Sequence, residues 1–260
     1  YSLLDGAQQV SQLIETISDL NMDSVALTEH GNMFSVLPYY KEAKKAGIKP
    51  IIGCEVYVAV GSRFDKKTTA EHGWGNNHLV LLVQNYTGYK NLMKLVTAGY
   101  LEGFYYRPRI DIELLREYNE GLICMSACLK GEVPERMIKG DYEGAKKAAI
   151  TFSEIFPGRY YLEIQNHGIP EELENLKNMK KLSAELGIPL VCSNDAHYSR
   201  KEHWEAHDIH ICLGTGKERS DPNRLRYATP EFYFKSQDEM YNLFKDFPNA
   251  IENTRLIADS

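Results

Sequence analysis

Ser24-Val-Ala-Leu-Thr-Glu-His30 reads as a short buried strand that runs out onto an acid and a histidine, and the same pattern recurs down the chain. Upstream, Val10, Leu13, Ile14, Ile17 and Leu20 repeat at helical spacing. Downstream, residues 35–46 predict a helix, Ile51 to Val60 a second strand and Leu79 to Val83 a third. A helix over 89–100, a strand from Leu122 to Ser126, a helix over 141–156, an extended run over 159–165, a helix over 171–186 and a strand from Pro189 to Ser193 continue the series. Strands alternating with helices predict βαβ units and a mainly parallel sheet buried on both faces. Six such strands, most followed by a helix, favour an α/β barrel over an open sheet. After about residue 200 the alternation stops. Gly214 to Asn223 reads as a loop before helices near 237–245 and 248–258, which divides the chain into a barrel core over 1–200 and a helical extension over 201–260.

With 260 residues, 43% of them hydrophobic, the chain can bury the core of one large domain. No apolar run approaches the roughly 18 residues that a bilayer span needs, so no membrane partner is expected. The five cysteines, Cys54, Cys124, Cys128, Cys192 and Cys212, are odd in number and scattered through apolar runs, which predicts free thiols and a cytoplasmic setting. A net charge of −6 argues against a module that coats duplex DNA by neutralising its phosphates. It is compatible with a pocket that binds cations. No Gly-x-Gly-x-x-Gly opens a helix after a strand, so the usual dinucleotide fingerprint is missing.

In a parallel barrel, functional side chains gather at the carboxyl ends of strands. The first strand ends in Thr28-Glu29-His30, the second carries Glu55 within Ile-Ile-Gly-Cys-Glu, His78 opens the third, Cys128 closes the fourth, and the last runs into Asp195-Ala-His197. All are metal-ligand types. One histidine beside a strand is usually a hydrogen-bonded core residue. Ligand types at five strand ends point instead to a shared metal site, and spacing alone leaves both readings open.

Tyr1-Ser-Leu-Leu-Asp-Gly6, Thr28-Glu-His-Gly-Asn-Met33, Ile51-Ile-Gly-Cys-Glu-Val-Tyr57, Gly103-Phe-Tyr-Tyr-Arg-Pro-Arg109, Ser193-Asn-Asp-Ala-His197 and Ser220-Asp-Pro-Asn-Arg224 carry a more specific signal. In this order, over almost the whole chain, they resemble the PHP (polymerase and histidinol phosphatase) domain of bacterial DNA polymerase III alpha subunits. The resemblance implies a distorted seven-stranded, TIM-like (β/α) barrel with up to three zinc or manganese ions at its rim. It assigns Asp5, His30 and His197 to one ion and Glu55, His78 and Cys128 to a second. Glu55 bridges toward a third ion that Asp195 also binds. Glu55, Asp195 and His197 are the expected catalytic residues. Asp5 and Cys128 stand where many relatives outside the polymerases have histidine. The family also has a His-x-His pair on a first strand just upstream of the Tyr-Ser-Leu-Leu-Asp-Gly motif. The expectation is therefore that this strand and pair are missing and that metal occupancy is reduced.

The implied chemistry is phosphodiester hydrolysis, because paired divalent ions activate water and stabilise the attacking and leaving oxygens. In a replicative polymerase this implies 3′–5′ proofreading on the primer end of DNA. The alternative is a degenerate scaffold that steadies the polymerase or docks a separate proofreading subunit. A small-molecule phosphatase is the third reading. Implied partners are DNA, the remaining alpha-subunit domains and, through the holoenzyme, a proofreading subunit and a sliding clamp. The polymerase carboxylates are expected in later domains, so this chain alone should add no nucleotides. Arg107 and Arg109, beside Phe104-Tyr105-Tyr106, and Arg224 and Arg226 are candidate phosphate contacts. The bland reading is an aromatic-capped loop with solvated arginines. His203, His207 and His210 share one helix face but lack the Glu of a His-Glu-x-x-His motif, residue 204 being Trp, and read as an ordinary helix face. Ser126-Ala-Cys128 offers a thiol nucleophile without an evident His-Asn pair, and His72 and His167 read as loop residues.

Overall fold

The computed structural model describes residues 5–67 and 75–260. The first half runs α1 (Val10–Asp19), β1 (Ser24–Leu27), α2 (Val36–Lys45), β2 (Lys49–Ala59), β3 (Asn76–Val83), α3 (Tyr86–Leu101), β4 (Arg109–Ile110) and α4 (Ile112–Glu117). The second half runs β5 (Leu122–Met125), α5 (Glu132–Ile138), α6 (Tyr142–Ile155), β6 (Tyr160–Ile164), α7 (Pro170–Leu186), β7 (Leu190–Cys192), α8 (Trp204–Thr215), α9 (Gln237–Leu243) and α10 (Pro248–Asp259). The strands form one curled seven-stranded sheet in the order β1-β2-β3-β5-β6-β7, with β4 also on β2. His72 and Tyr1 to Leu4 lie outside the described residues.

The expected mainly parallel sheet is corrected to a mixed one. β1–β2, β2–β4, β5–β6 and β6–β7 are parallel, but β3 is antiparallel to both β2 and β5. The described part of the connection from β2 to β3 contains no helix, and without a crossover a strand can only return antiparallel. β4, α4 and α5 are short elements absent from the sequence reading. The Asp111 carboxylate caps α4 by accepting from the Leu114 amide.

Burial on both faces explains the continuous apolar runs. Leu79 and Leu81 of β3 and Leu122 and Cys124 of β5 face the surrounding helices, in the same cluster as Leu92, Phe152 and Leu182. Their alternates Val80, Leu82, Ile123 and Met125 face the inside of the curl with Val191 and Ile257. Because Cys54, Val56 and Val58 of β2 join the outer cluster, the strand's period of two turns Glu55 and Tyr57 inward. The 201–260 segment packs into these same clusters: Phe244 and Ala250 enter the outer one and Ile257 the inner one. β1 and β7 end the strand order, and α10 reaches both sides of the curl. Asn253 donates to Leu190 O of β7 at 2.7 Å, and Arg255 pairs with Asp23 just before β1 at 2.6 Å.

Candidate metal centre

His30 stands just past the end of β1, locked to β2 by a backbone bridge to Glu55. Gly31 N donates to Glu55 O at 2.8 Å and Glu55 N to Glu29 O at 3.1 Å. Gly31 is required here: its φ is +65°, and an added Cβ would meet Pro108 at 2.8 Å and the Tyr57 ring at 2.9 Å. Glu29 is not a ligand but a helix-start clamp, with Oε2 accepting the Ser35 amide and Oε1 the Ser35 hydroxyl. Across the β2–β3 ladder Glu55 pairs with Val80 and Tyr57 with His78, so Glu55 and His78 are diagonal neighbours on the inner face.

The structure brings all seven ligand candidates together through close side-chain approaches. His30 Nε2 lies 3.4 Å from Asp5 Oδ1, and its Nδ1 lies 3.7 Å from Glu55 Oε2. The other Glu55 oxygen contacts His78 Nδ1, which lies 3.9 Å from Cys128 Sγ. On the far side His197 Nε2 is 3.9 Å from Asp5 Oδ2, and its Nδ1 is 3.9 Å from Asp195 Oδ1. Two triads have donor atoms within 4.8 Å of one another, Asp5–His30–His197 and His30–Glu55–His78. They share His30, with one ring nitrogen facing each. Asp195 and Cys128 flank the triads without joining either.

This donor set suits a divalent ion. Asp5 Oδ1 and His30 Nδ1 are buried without a hydrogen-bond partner, so each has a lone pair or proton facing the cluster. His197 Nδ1 lies 2.7 Å from the Asp195 carbonyl, which only accepts, so Nδ1 carries a proton and Nε2 is the ring atom turned toward Asp5. Electrostatics point the same way. Burial opposes charge on His30, yet Glu55, Asp5 and Asp195 raise its pKa to about 10. Burial likewise opposes ionisation of Asp5, but the His30 contact and His197 hold it well below the usual carboxylate range. Burial also works against Glu55, but His30 and His78 lower it. Asp195 is pushed up by burial and Glu55 against the pull of His197, and the Cys128 thiol is pushed far up by burial, Glu55 and Asp195. A raised thiol is the opposite of nucleophilic activation, which disfavours the Ser126-Ala-Cys128 nucleophile. Cys128 becomes a thiolate only beside a cation.

Three residues missed from sequence complete the setting. Tyr227 donates to Asp5 Oδ2 at 3.3 Å. His207 is buried and hydrogen-bonds the Asp5 carbonyl, so one member of the α8 histidine face supports the site from behind. Glu163 of β6 is 5% exposed, accepts from Gln165 Nε2 at 3.2 Å and from Ser193, and has Oε2 unpartnered. It lines the same 990 Å³ cleft as Glu55, Cys128 and Asp195. Burial, then Asp195 and Glu55, raise it to about 7 against its hydrogen bonds from Ser193 and Gln165. Its signal was available: a lone acid in the apolar run Tyr160-Tyr-Leu-Glu-Ile164, the pattern that singled out Glu55.

The arginines divide. Arg107 is half-buried, 5.6 Å over the Tyr57 ring, which abuts His78 at 5.2 Å, so it stands beside the centre. Arg109, expected as a phosphate contact, is corrected to a structural residue. It is 1% exposed and donates to the carbonyls of Gly103, Arg63 and Asp65 at 3.1, 3.2 and 2.7 Å. Arg224 is tied to Asp208 by two contacts of 2.6 and 2.7 Å, whereas Arg226 is exposed. Phe104 and Tyr106 are 51% and 59% exposed on the Arg107 loop. All five cysteines are free thiols. No helix among the described residues is long and apolar enough to cross a membrane.

Residues 1–167 match the family profile described as "PHP domain", and the chain belongs to the PHP domain family. Curated relatives that it matches include DNA polymerase III alpha subunits. It is 51% identical over 259 residues to DNA polymerase III subunit alpha of Borreliella burgdorferi and 46% over 261 residues to that of Treponema pallidum. To that of Thermus aquaticus it is 38% identical over 265 residues. These alignments cover 98 to 100% of the chain but only 22% of each relative, so the chain spans about a fifth of their length.

Proposed function

We propose that the chain is the PHP portion of a replicative, cytoplasmic DNA polymerase III alpha subunit, and that its cleft is a divalent-metal phosphoesterase site acting on the 3′ end of a DNA strand. The observation that supports this most is the convergence of Asp5, His30, Glu55, His78, Cys128, Asp195 and His197 at one mouth, linked by contacts of 3.9 Å or less. Zinc or manganese, when bound, would supply Lewis acidity for water activation and for charge developing on phosphate oxygens.

The protein's own residues account for the rest. Asp5, His30 and His197 would hold one ion and Glu55, His78 and Cys128 a second, with Asp195 beside both. Glu55 has one oxygen facing each histidine of its triad, which lets a single carboxylate link two positions. Arg107 would take a non-bridging phosphate oxygen, and the exposed Phe104 ring would stack on the terminal base, as on single strands. Nucleotide addition belongs to other parts of the subunit, which with the proofreading subunit and sliding clamp are the proposed partners.

Metal analysis coupled to hydrolysis of a 3′-mismatched primer tests this. The chain should bind zinc or manganese stoichiometrically and shorten the primer from its 3′ end, and Glu55→Gln should lose both. A full-length alpha subunit that binds neither metal would overturn the proposal and leave the scaffold reading in its place.

A further inference from the structure

His167, which sequence reads as a loop residue, is 1% exposed and has both ring nitrogens engaged. Nε2 lies 2.8 Å from the Asn194 carbonyl, which only accepts, so Nε2 carries a proton. Nδ1 lies 2.6 Å from Glu172 Oε1, and the other Glu172 oxygen accepts the His167 backbone N–H at 2.6 Å. The ring stacks on Phe232 at 3.8 Å and 10°, leaving the imidazole little freedom to tilt. Glu172 is itself fixed in the first turn of α7, where a carboxylate is favoured.

The carbonyl that His167 grips belongs to the peptide immediately before Asp195. Asp195 has φ 43°, a left-handed conformation uncommon outside glycine that aspartate tolerates better than most residues and that fixed neighbours help to hold. The Asn194 amide is anchored from the other side, donating to Glu231 O at 3.1 Å and to Tyr233 O. The plane of the 194–195 peptide is thus fixed at its oxygen by His167 and through the Asn194 side chain by the 231–233 strip. That plane sets where the Asp195 carboxylate and, two residues on, the His197 ring leave the backbone.

We propose that the His167–Glu172 pair is a clasp that positions Asp195 and His197 toward the metal cleft, making His167 and Glu172 positioning residues rather than ligands. The proposal rests on the metal-site reading only in the second of its two readouts.

The first readout needs no metal. The His197 and Tyr198 amides both donate to Phe232 O. In His167→Gln their hydrogen exchange should accelerate at least about tenfold by local opening, while the Leu81 and Cys124 amides in the sheet stay unchanged. The second uses MnCl₂ alone. Removing a group that orients ligands should weaken Mn²⁺ binding roughly 10- to 100-fold. Thr229→Val, which deletes only the 2.8 Å bond to the His167 carbonyl, should change neither readout. Should His167→Gln not fold, Glu172→Gln carries the test, with the same direction and smaller size. A folded His167→Gln or Glu172→Gln with wild-type exchange at 197 and 198 and wild-type Mn²⁺ affinity overturns the clasp. A wild-type chain that binds no Mn²⁺ would remove the metal-site reading, and the exchange data would still decide the clasp.

Discussion

Glu163 gives the sharpest quantitative prediction. Its carboxyl is 5% exposed, and its pKa stands at about 7 against an ordinary 4.5, with burial as the leading cause. In the unfolded chain the group titrates near its ordinary value, so between pH 4.5 and 7 the folded state holds a proton that the unfolded state has released. The folded state therefore binds more protons over that window, and stability falls as pH rises through it. The loss is complete above about pH 7 and absent below 4.5. The difference between the two midpoints corresponds to ~3 kcal/mol, at about 1.4 kcal/mol for each tenfold change. Glu163→Gln removes the titration. It leaves an amide nitrogen where Oε2 has no partner, a penalty of roughly 1–3 kcal/mol that does not vary with pH. Urea unfolding in EDTA at pH 5 and pH 8.5 separates the two effects, because the constant penalty cancels in the comparison. Wild type should lose ~3 kcal/mol more than Glu163→Gln between those pH values. Saturating Mn²⁺ should shrink the difference, since positive charge near Glu55 and Asp195 favours the ionised form. Parallel pH profiles in EDTA, within about 1 kcal/mol, would refute the claim that burial beside Asp195 and Glu55 holds the Glu163 proton.

Four further outcomes follow from the geometry. Arg109→Met strips a buried guanidinium from three carbonyls and should cost roughly 3 kcal/mol or more in urea unfolding. Arg107→Ala should instead leave stability nearly unchanged, weaken binding to a single-stranded oligonucleotide and reduce the salt slope by about one, measured by fluorescence anisotropy across salt concentrations. His30, raised to about 10, carries a proton at neutral pH that an ion must displace. Mn²⁺ affinity should therefore rise from pH 6 to 9, and calorimetry in buffers of different ionisation enthalpy should show proton release. Leu81, with no exposed surface at the centre of the sheet, should lose about 2–5 kcal/mol on change to Ala in the same denaturation assay.

The strands were legible because a sheet buried on both faces leaves continuous apolar runs, and an acid or histidine within such a run stands out. Glu55 stands out that way, and His30, His78, Cys128, Asp195 and His197 stand out as ligand types at the ends of such runs. Strand direction was not legible, because apolar runs look the same read either way. The signal for an antiparallel β3 lay in the connector after Ala59, where Gly61, Ser62 and Asp65 carry no helical periodicity. Arg109 was misread because the two-residue strand that buries it, paired Tyr57 to Arg109, is too short to show a period of two. Least legible of all was backbone strain. Among the described residues the non-glycine positions with positive φ are Asn21, Tyr106, Ala127 and Asp195. Three of these four precede or constitute a site residue: Tyr106 aims Arg107, Ala127 aims Cys128, and Asp195 is itself a ligand candidate. Asn21 and Asp195 are residue types that tolerate that conformation, but Tyr106 and Ala127 are not, and nothing in their sequence announces it. The surrounding contacts must impose the strain, as His167 and Phe232 do around Asp195. Local preference is overridden where the chain turns its polar side chains into the cleft, and that override is the part of the site that only three-dimensional contacts can specify.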